Sequence, residues 1–255
     1  VSDEYDAELY AAVHDGNPGD IAFYQARCAG ARTIVELGCG DARVLAELRG
    51  EGRELVGVEL DADLLACARK RLDAQPGAGA LELVELVMAD MAAPELLGER
   101  RFDRVIIPHG GLFCLLDDAS VRACLRNAAR LLAPGGALIL DTWAADAFHR
   151  DAEPEDFAEH WLERVKTIEL DGQPWEVLER SRWDKPAQRL DVTYLHVEVG
   201  AEEAVEGLLR QRYLTSEQLL GLLAEAGFGE VELRAGFAGE PWHDEADLMV
   251  VIARR

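Results

Sequence analysis

Basic residues are scarce in this chain: 26 lysines and arginines stand against 49 acids among 255 residues, a formal net charge of −23. A DNA duplex carries one negative charge per ~1.7 Å of axis, so a body of this sign is repelled by nucleic acid unless it hides a basic patch. The densest basic run, Arg69-Lys70-Arg71, falls at helical spacing and reads as a solvated helix end. The expectation is no nucleic-acid partner, whereas a cationic solute such as an amine is favoured. Long apolar runs are missing too. No stretch approaches the ~20 apolar residues of a membrane span, and no leading segment shows the charged-then-apolar pattern of an export signal. A cytoplasmic protein with no membrane partner is therefore expected. Cysteines number five, without paired spacing. A chain this long can bury a core without disulfides, and Cys39, Cys67 and Cys124 read as small core residues in a reducing compartment. Acids and histidines do not cluster at ligand spacing, so no metal is expected.

What is present is organised around Thr33–Arg43, Thr-Ile-Val-Glu-Leu-Gly-Cys-Gly-Asp-Ala-Arg. This reads as a short buried strand, a glycine turn and the start of a helix. Gly38 and Gly40, one residue apart, permit a sharp bend and keep side chains away from a ligand. The helix that follows aims its free N–H groups at the same place. A dinucleotide fingerprint asks for a third glycine where Arg43 stands, so the turn does not suit a pyrophosphate. Glu36, just before the first glycine, favours a ligand with a cationic end.

The remaining chain spaces its elements as an alternating α/β fold. Residues 3–29 predict two helices separated by the breaker Asp15-Gly-Asn-Pro-Gly19, with Tyr5, Leu9, Tyr10 and Val13 on one face. Helix 42–49 and strand 56–60 follow the glycine turn. Glu59 closes that strand about 20 residues after the turn, where such folds hold a ribose, and a carboxylate can accept from both sugar hydroxyls. Asp61 reads as the N-cap of helix 62–73. Strand 81–87 leads into Asp90-Met91, strand 102–107 into Pro108-His109-Gly110-Gly111, and helix 118–132 into the turn Pro134–Gly136 and a fifth strand, 137–140. From about 145 to 212 the pattern changes to antiparallel strands over 160–171, 174–183, 189–199 and 205–213. Thr215-Ser-Glu-Gln signals a helix start before 219–226, and strands 229–235 and 246–253 complete the chain.

The pattern Glu-x-Gly-x-Gly followed by Asp-Ala-Arg, together with Leu-Ala-Pro-Gly-Gly-Ala-Leu-Ile-Leu before the fifth strand, resembles the class I S-adenosylmethionine-dependent methyltransferases. Within that class the chain is similar to small-molecule N-methyltransferases of the glycine and amino-sugar type, which share an N-terminal arm with tyrosines and an inserted antiparallel lid. The resemblance implies an α/β fold: a seven-stranded, mostly parallel sheet with helices on both faces, a helical arm over 1–30, a core over 31–145 and 213–255, and an antiparallel β lid over 146–212. It implies S-adenosyl-L-methionine as cofactor, held by Tyr10, Glu36, Gly38, Gly40, Arg43, Glu59, Leu60, Asp90, Met91 and Pro108. Asp90 would accept from the adenine amino group and Met91 would pack on the ring. Two positions depart from the family: its third glycine is Ala42, and the loop histidine of some amino-sugar enzymes aligns with Cys114.

Methyl transfer from a sulfonium needs alignment and exclusion of water more than bond activation. An amine needs a free lone pair, a hydroxyl needs a base in reach. His109 is the candidate base or orienter. Tyr5, Trp143, Tyr194, His196 and Arg212 are the candidate acceptor contacts, with Trp175 beside them. The expected activity is methylation of a small-molecule amine by a monomer or homodimer. A metal-independent O-methyltransferase and a non-catalytic methyltransferase-like binding protein remain as alternatives.

Overall fold

The computed structural model describes residues 5–50, 52–74, 84–156, 161–170, 172–201 and 203–255. The elements in order are α1 (Ala7–Val13), α2 (Asp20–Arg27), β1 (Thr33–Leu37), α3 (Arg43–Glu47), β2 (Glu54–Glu59), α4 (Ala62–Ala74), β3 (Val84–Met88), β4 (Phe102–Ile107), α5 (Asp118–Leu131) and β5 (Leu132–Trp143). They continue with α6 (Asp146–Asp151), β6 (Glu163–Leu170), β7 (Gln173–Asp184), β8 (Arg189–Glu198), β9 (Ala204–Arg212), α7 (Ser216–Glu225), β10 (Glu230–Arg234) and β11 (Leu248–Arg254). Seven strands form one sheet in the order β10-β11-β5-β4-β1-β2-β3, parallel except where β11 pairs with β5 and β10. This is the seven-stranded, mostly parallel α/β sheet that the resemblance implied.

The sheet positions the site through its central strand. Parallel strands covered by helices on both faces read as apolar runs, and Ile34, Val35 and Leu37 of β1 are fully buried between β2 and β4. Going one way from β1 the chain adds β2 and β3; going the other it adds β4 and β5. The crevice at that reversal, above the carboxyl ends of the strands, is where open α/β sheets bind ligands. Glu36, Glu59, Pro108 and Asp141 all stand at that edge.

The four strands β6 to β9 form a separate antiparallel sheet inserted between β5 and α7. Their alternation sorts the side chains. Val177, Trp183, Val192, Tyr194, His196, Gly207 and Leu209 fall on the buried face. Arg180, Arg182, Arg189, Arg210 and Arg212 occupy the opposite register positions, where Arg182 pairs across to Asp191 and Arg189 to Arg212. The N-terminal arm closes the buried face. Asp6 caps α1 by accepting from the N–H groups of Glu8 and Leu9, at 2.9 and 3.0 Å. Tyr5, Leu9 and Val13 then pack on Ile168, Val177, Val192, Tyr194 and Leu209. Gly207 makes this docking possible: a Cβ there would lie 2.3 Å from the Tyr5 ring. Lys70 pairs with Glu8, tying the arm to α4, and Lys166 pairs with Asp15, tying it to β6.

Several boundaries differ from those expected. The Pro134–Gly136 segment is drawn into β5, whose register against β4 shifts between Phe102 and Arg104. Helix α3 stops at Glu47 and is shorter than 42–49. The insertion begins with α6, which carries no buried residue and so left no apolar periodicity to read. Residues 3 and 4 of the first predicted helix, 81–83 of one predicted strand and 160 and 171 of another lie outside the described residues. The basic run on α4 is less free than expected, because Arg71 hydrogen-bonds to Asp41 and Lys70 to Glu8. The caps conform to expectation: Asp61 accepts from the N–H groups of Asp63 and Leu64, and the Gln218 side chain accepts from the Thr215 N–H.

Candidate active site

At the carboxyl edge of β1 the backbone turns through Gly38 (φ +72°) and Gly40 (φ +53°), a region that L side chains rarely enter. Nothing lies within 4 Å of the Cβ position of Gly40. The space the two glycines leave opens into a cavity of about 370 Å³ lined by the arm, the glycine turn, the β4 and β5 ends and the lid. A second hollow of about 140 Å³ shares Tyr10, Gly38, Gly40, Gly111 and Cys114 with it and continues past Glu59, Leu60, Asp90 and Met91. The two are one continuous groove across the sheet edge.

Glu59 anchors the middle of this groove. Its Oε2 accepts from the Gly40 N–H at 2.9 Å, and Oε1 accepts from Leu60 and Asp61 at 2.8 and 3.0 Å. Three acceptor positions of the carboxylate are thus spent on shaping the turn; an ionised carboxylate has about four, which leaves one toward the groove. Asp90 caps its own turn, Oδ1 accepting from Ala92 at 2.8 Å, and also lines the groove. Buried Met91 and the 62 % exposed Leu60 supply facing apolar surfaces there.

The other half of the groove is acidic. Glu36 is buried, burial pushes its carboxyl well above the usual range, and Oε2 has no hydrogen-bond partner among the described residues. Arg43 lines the cavity next to it, held by the buried Asp20 at 2.5 Å. Asp141, 1 % exposed, lies two residues before the end of β5. Its Oδ1 accepts from the Tyr24 hydroxyl at 2.6 Å and from the His109 N–H at 3.0 Å, and burial raises its pKa to about 6. His109 is held at φ +52° by that bond and lines the cavity with Pro108. Burial, and after it the nearby Arg43, lowers its pKa, so the ring is uncharged. A second imidazole faces it: the ring centroid of His14, at the end of α1, lies 6.1 Å from that of His109, 4.2 Å from Tyr10 and 5.2 Å from Tyr194.

The structure gathers Tyr10, Glu36, Gly38, Gly40, Arg43, Pro108, His109, Trp143 and Tyr194 around the larger cavity, and Glu59, Leu60, Asp90 and Met91 around its continuation. Three candidate acceptor contacts fall elsewhere. Tyr5 is buried against Gly207, its hydroxyl 3.2 Å from His196 Nε2, and holds the arm to the lid. His196 is fully buried, with Nδ1 3.1 Å from the Val205 carbonyl oxygen. Arg212 pairs with Asp118 at 2.7 Å, on the sheet face turned from the cavity. Trp175 packs half-buried against the arm–lid cluster. The aromatic spacing on a strand marks a packed face and cannot distinguish the positions beneath the arm from those over the opening.

Sequence reasoning passed over His14, Asp20, Tyr24 and the site role of Asp141. Asp141 carried a usable signal, since it follows the expected strand 137–140 much as Glu59 closes its strand and Asp90 follows its own. His14 carried none, because only the docking of the arm brings it beside His109.

Residues 34–136 match a family described as a methyltransferase domain. A dTDP-3-amino-3,6-dideoxy-alpha-D-glucopyranose N,N-dimethyltransferase of Streptomyces fradiae is 27 % identical over 197 residues, 74 % of this chain and 69 % of that one. Among solved structures, the CcbJ methyltransferase of Streptomyces caelestis superposes with a TM-score of 0.77 at 28 % identity, covering 94 % of this chain and 96 % of that one. The S-adenosylmethionine-bound amino pentose methyltransferase CalS10 of Micromonospora echinaspora superposes with a TM-score of 0.65 at 24 % identity, covering 92 % and 89 %.

Proposed function

Because the chain is a class I S-adenosylmethionine-dependent methyltransferase, with the sugar N-methyltransferases among its relatives, we propose that it methylates the amine nitrogen of a small molecule. The observation that carries this reading is the charge of the cavity wall. Of the acids that line it, Asp15 is paired with Lys166 and Asp41 with Arg71, which leaves Asp141 and the buried Glu36, whose Oε2 has no partner among the described residues; its one lysine or arginine among them, Arg43, is paired with Asp20. A wall of this sign draws in an ammonium and disfavours an anion.

The residues present fit the cofactor. The glycine turn leaves the room, the orphaned Oε2 of buried Glu36 asks for a donor such as the ammonium of an amino acid, Glu59 retains an acceptor position for a ribose hydroxyl, and Asp90 between Leu60 and Met91 suits a flat base carrying an amino group. When bound, the cofactor supplies a methyl group on a sulfonium, already activated toward an in-line nucleophile. The chain's own groups orient and desolvate. Trp143, Tyr194 and the arm tyrosine Tyr10 wall off water. An ammonium has no lone pair to offer, so a proton must leave the acceptor before transfer, and the uncharged His109 ring can receive it.

The same imidazoles would serve a hydroxyl acceptor, which is the nearest rival reading. Calorimetry with S-adenosylhomocysteine, followed by product mass spectrometry with free amino sugars, nucleotide-linked amino sugars, small amino acids and hydroxylated aromatics, separates the two. Methylation confined to oxygen would overturn the amine reading.

A further inference from the structure

The arm contributes one polar side chain to the cavity that nothing in the sequence marked. His14 lines the opening between Tyr10 and Tyr194, and its Nε2 is shielded from solvent without a hydrogen-bond partner among the described residues. Leaving a buried polar atom unpaired costs on the order of 1–3 kcal/mol, so such an atom at a cavity wall calls for a partner from the cavity's occupant. The neighbours define what that occupant is. On its own helix His14 stacks on Tyr10, with Tyr5 one ring further off at 6.0 Å. From the lid Tyr194 meets it edge-on, and from the β4 exit loop His109 stands opposite. Lys166 of β6 and Asp15 are the charged groups nearest it, and they neutralise one another at 2.7 Å.

We propose that His14 is an acceptor-binding residue, whose Nε2 takes a hydrogen bond from the N–H of the incoming amine and turns the nitrogen lone pair toward the methyl position. The inference rests on the amine reading above. Burial pushes the His14 pKa down to about 3, so near neutral pH the ring is uncharged and keeps a lone pair to offer. Facing His109 across the opening, it divides the work: His14 fixes the direction of the nitrogen, and His109 is the ring placed to receive the proton. The position also makes acceptor recognition conditional on the arm, because His14 reaches the opening only while Tyr5, Leu9 and Val13 are docked on the lid.

The test uses two substitutions in the full chain. His14→Phe keeps the ring against Tyr10 and Tyr194 but removes Nε2; His14→Gln places an amide oxygen near the Nε2 position. Rates are taken with 3-amino-3-deoxyglucose, glycine and dTDP-3-amino-3,6-dideoxyglucose, using whichever the wild type methylates fastest. The expected result is a 10- to 100-fold lower kcat/KM for the acceptor in His14→Phe, at least partial recovery in His14→Gln, and S-adenosylhomocysteine affinity within twofold of wild type in both. A folded His14→Phe protein with kcat/KM within twofold of wild type overturns the proposal. So does a loss in both variants that cofactor affinity follows in parallel, which would mark a packing role. Should the wild type methylate none of the amines, the amine reading itself falls and takes the inference with it; wild-type turnover with an unaffected Phe variant removes only the role of His14.

Discussion

Replacing Glu59 by Ala removes one carboxylate from three backbone donors at once. The N–H groups of Gly40, Leu60 and Asp61 lie 2.8 to 3.0 Å from its two oxygens, and the residue is only 8 % exposed. Hydrogen bonds to a charged group are worth about 1.5–3 kcal/mol each. Water entering the groove replaces part of what the N–H groups lose, so the three are not summed. The cofactor loses its ribose acceptor and meets a glycine turn no longer pinned by Glu59. The expected cost to binding is about 1.5–3 kcal/mol, a 10- to 150-fold rise in Kd at about 1.4 kcal/mol per decade. The unbound protein should also melt lower, by about 2–4 °C for each kcal/mol of stability lost. Calorimetry with S-adenosylhomocysteine reads the first effect and thermal unfolding of the unbound protein reads the second. A Kd within twofold of wild type would refute the reasoning, and a lowered melting point with that unchanged Kd would reduce Glu59 to a loop anchor.

Other perturbations address separate parts of the site. His109→Asn keeps a residue that tolerates φ +52° and the N–H bond to Asp141, so turnover should fall at least tenfold with cofactor affinity within about twofold; equal losses would mark a binding role. Asp141 titrates at about 6 folded against 3.8 in the unfolded chain, so the stability it contributes is whole below about pH 4 and is lost as pH rises through 6. Urea unfolding from pH 4 to 7 should show wild type losing about 3 kcal/mol relative to Asp141→Asn over that window; parallel curves would refute it. Gly207→Ala drives a methyl into the Tyr5 ring and should cost about 1–3 kcal/mol and expose the 15–19 turn to limited proteolysis, whereas an unchanged cleavage pattern would mean that Tyr5 does not seat the arm.

The sheet was legible because its signals are local. Apolar β1 between glycine turn and breaker, the acids at strand ends and the proline-glycine turn before β5 each follow from a few neighbouring residues; the strand order, with β4 on the far side of β1 from β2 and β11 between β10 and β5, does not. The lid was legible only as strands. Which face of β8 looks into the cavity depends on the arm, and the arm is joined to the lid by Tyr5 on Gly207, a contact across 202 residues that no periodicity announces. That is why Tyr194 lines the cavity while His196, two positions along the same face, is sealed beneath Tyr5. His14 was invisible for the same reason, and Arg212 misled because a charged residue at a strand end gives no hint of Asp118 waiting on α5.

The arginines along the far side of the four-stranded sheet meet acids of their own: Arg180 faces Glu206, Arg189 faces Asp191 and Arg212 faces Asp118. A body with 23 surplus negative charges therefore presents no unpaired row of cations there, among the described residues, to set against them. Its field reaches roughly one Debye length, ~8 Å at physiological ionic strength, before salt extinguishes it. Within that range a positively charged solute is drawn toward the protein, so its arrival should slow as salt is added while departure, governed by contacts inside the groove, should not.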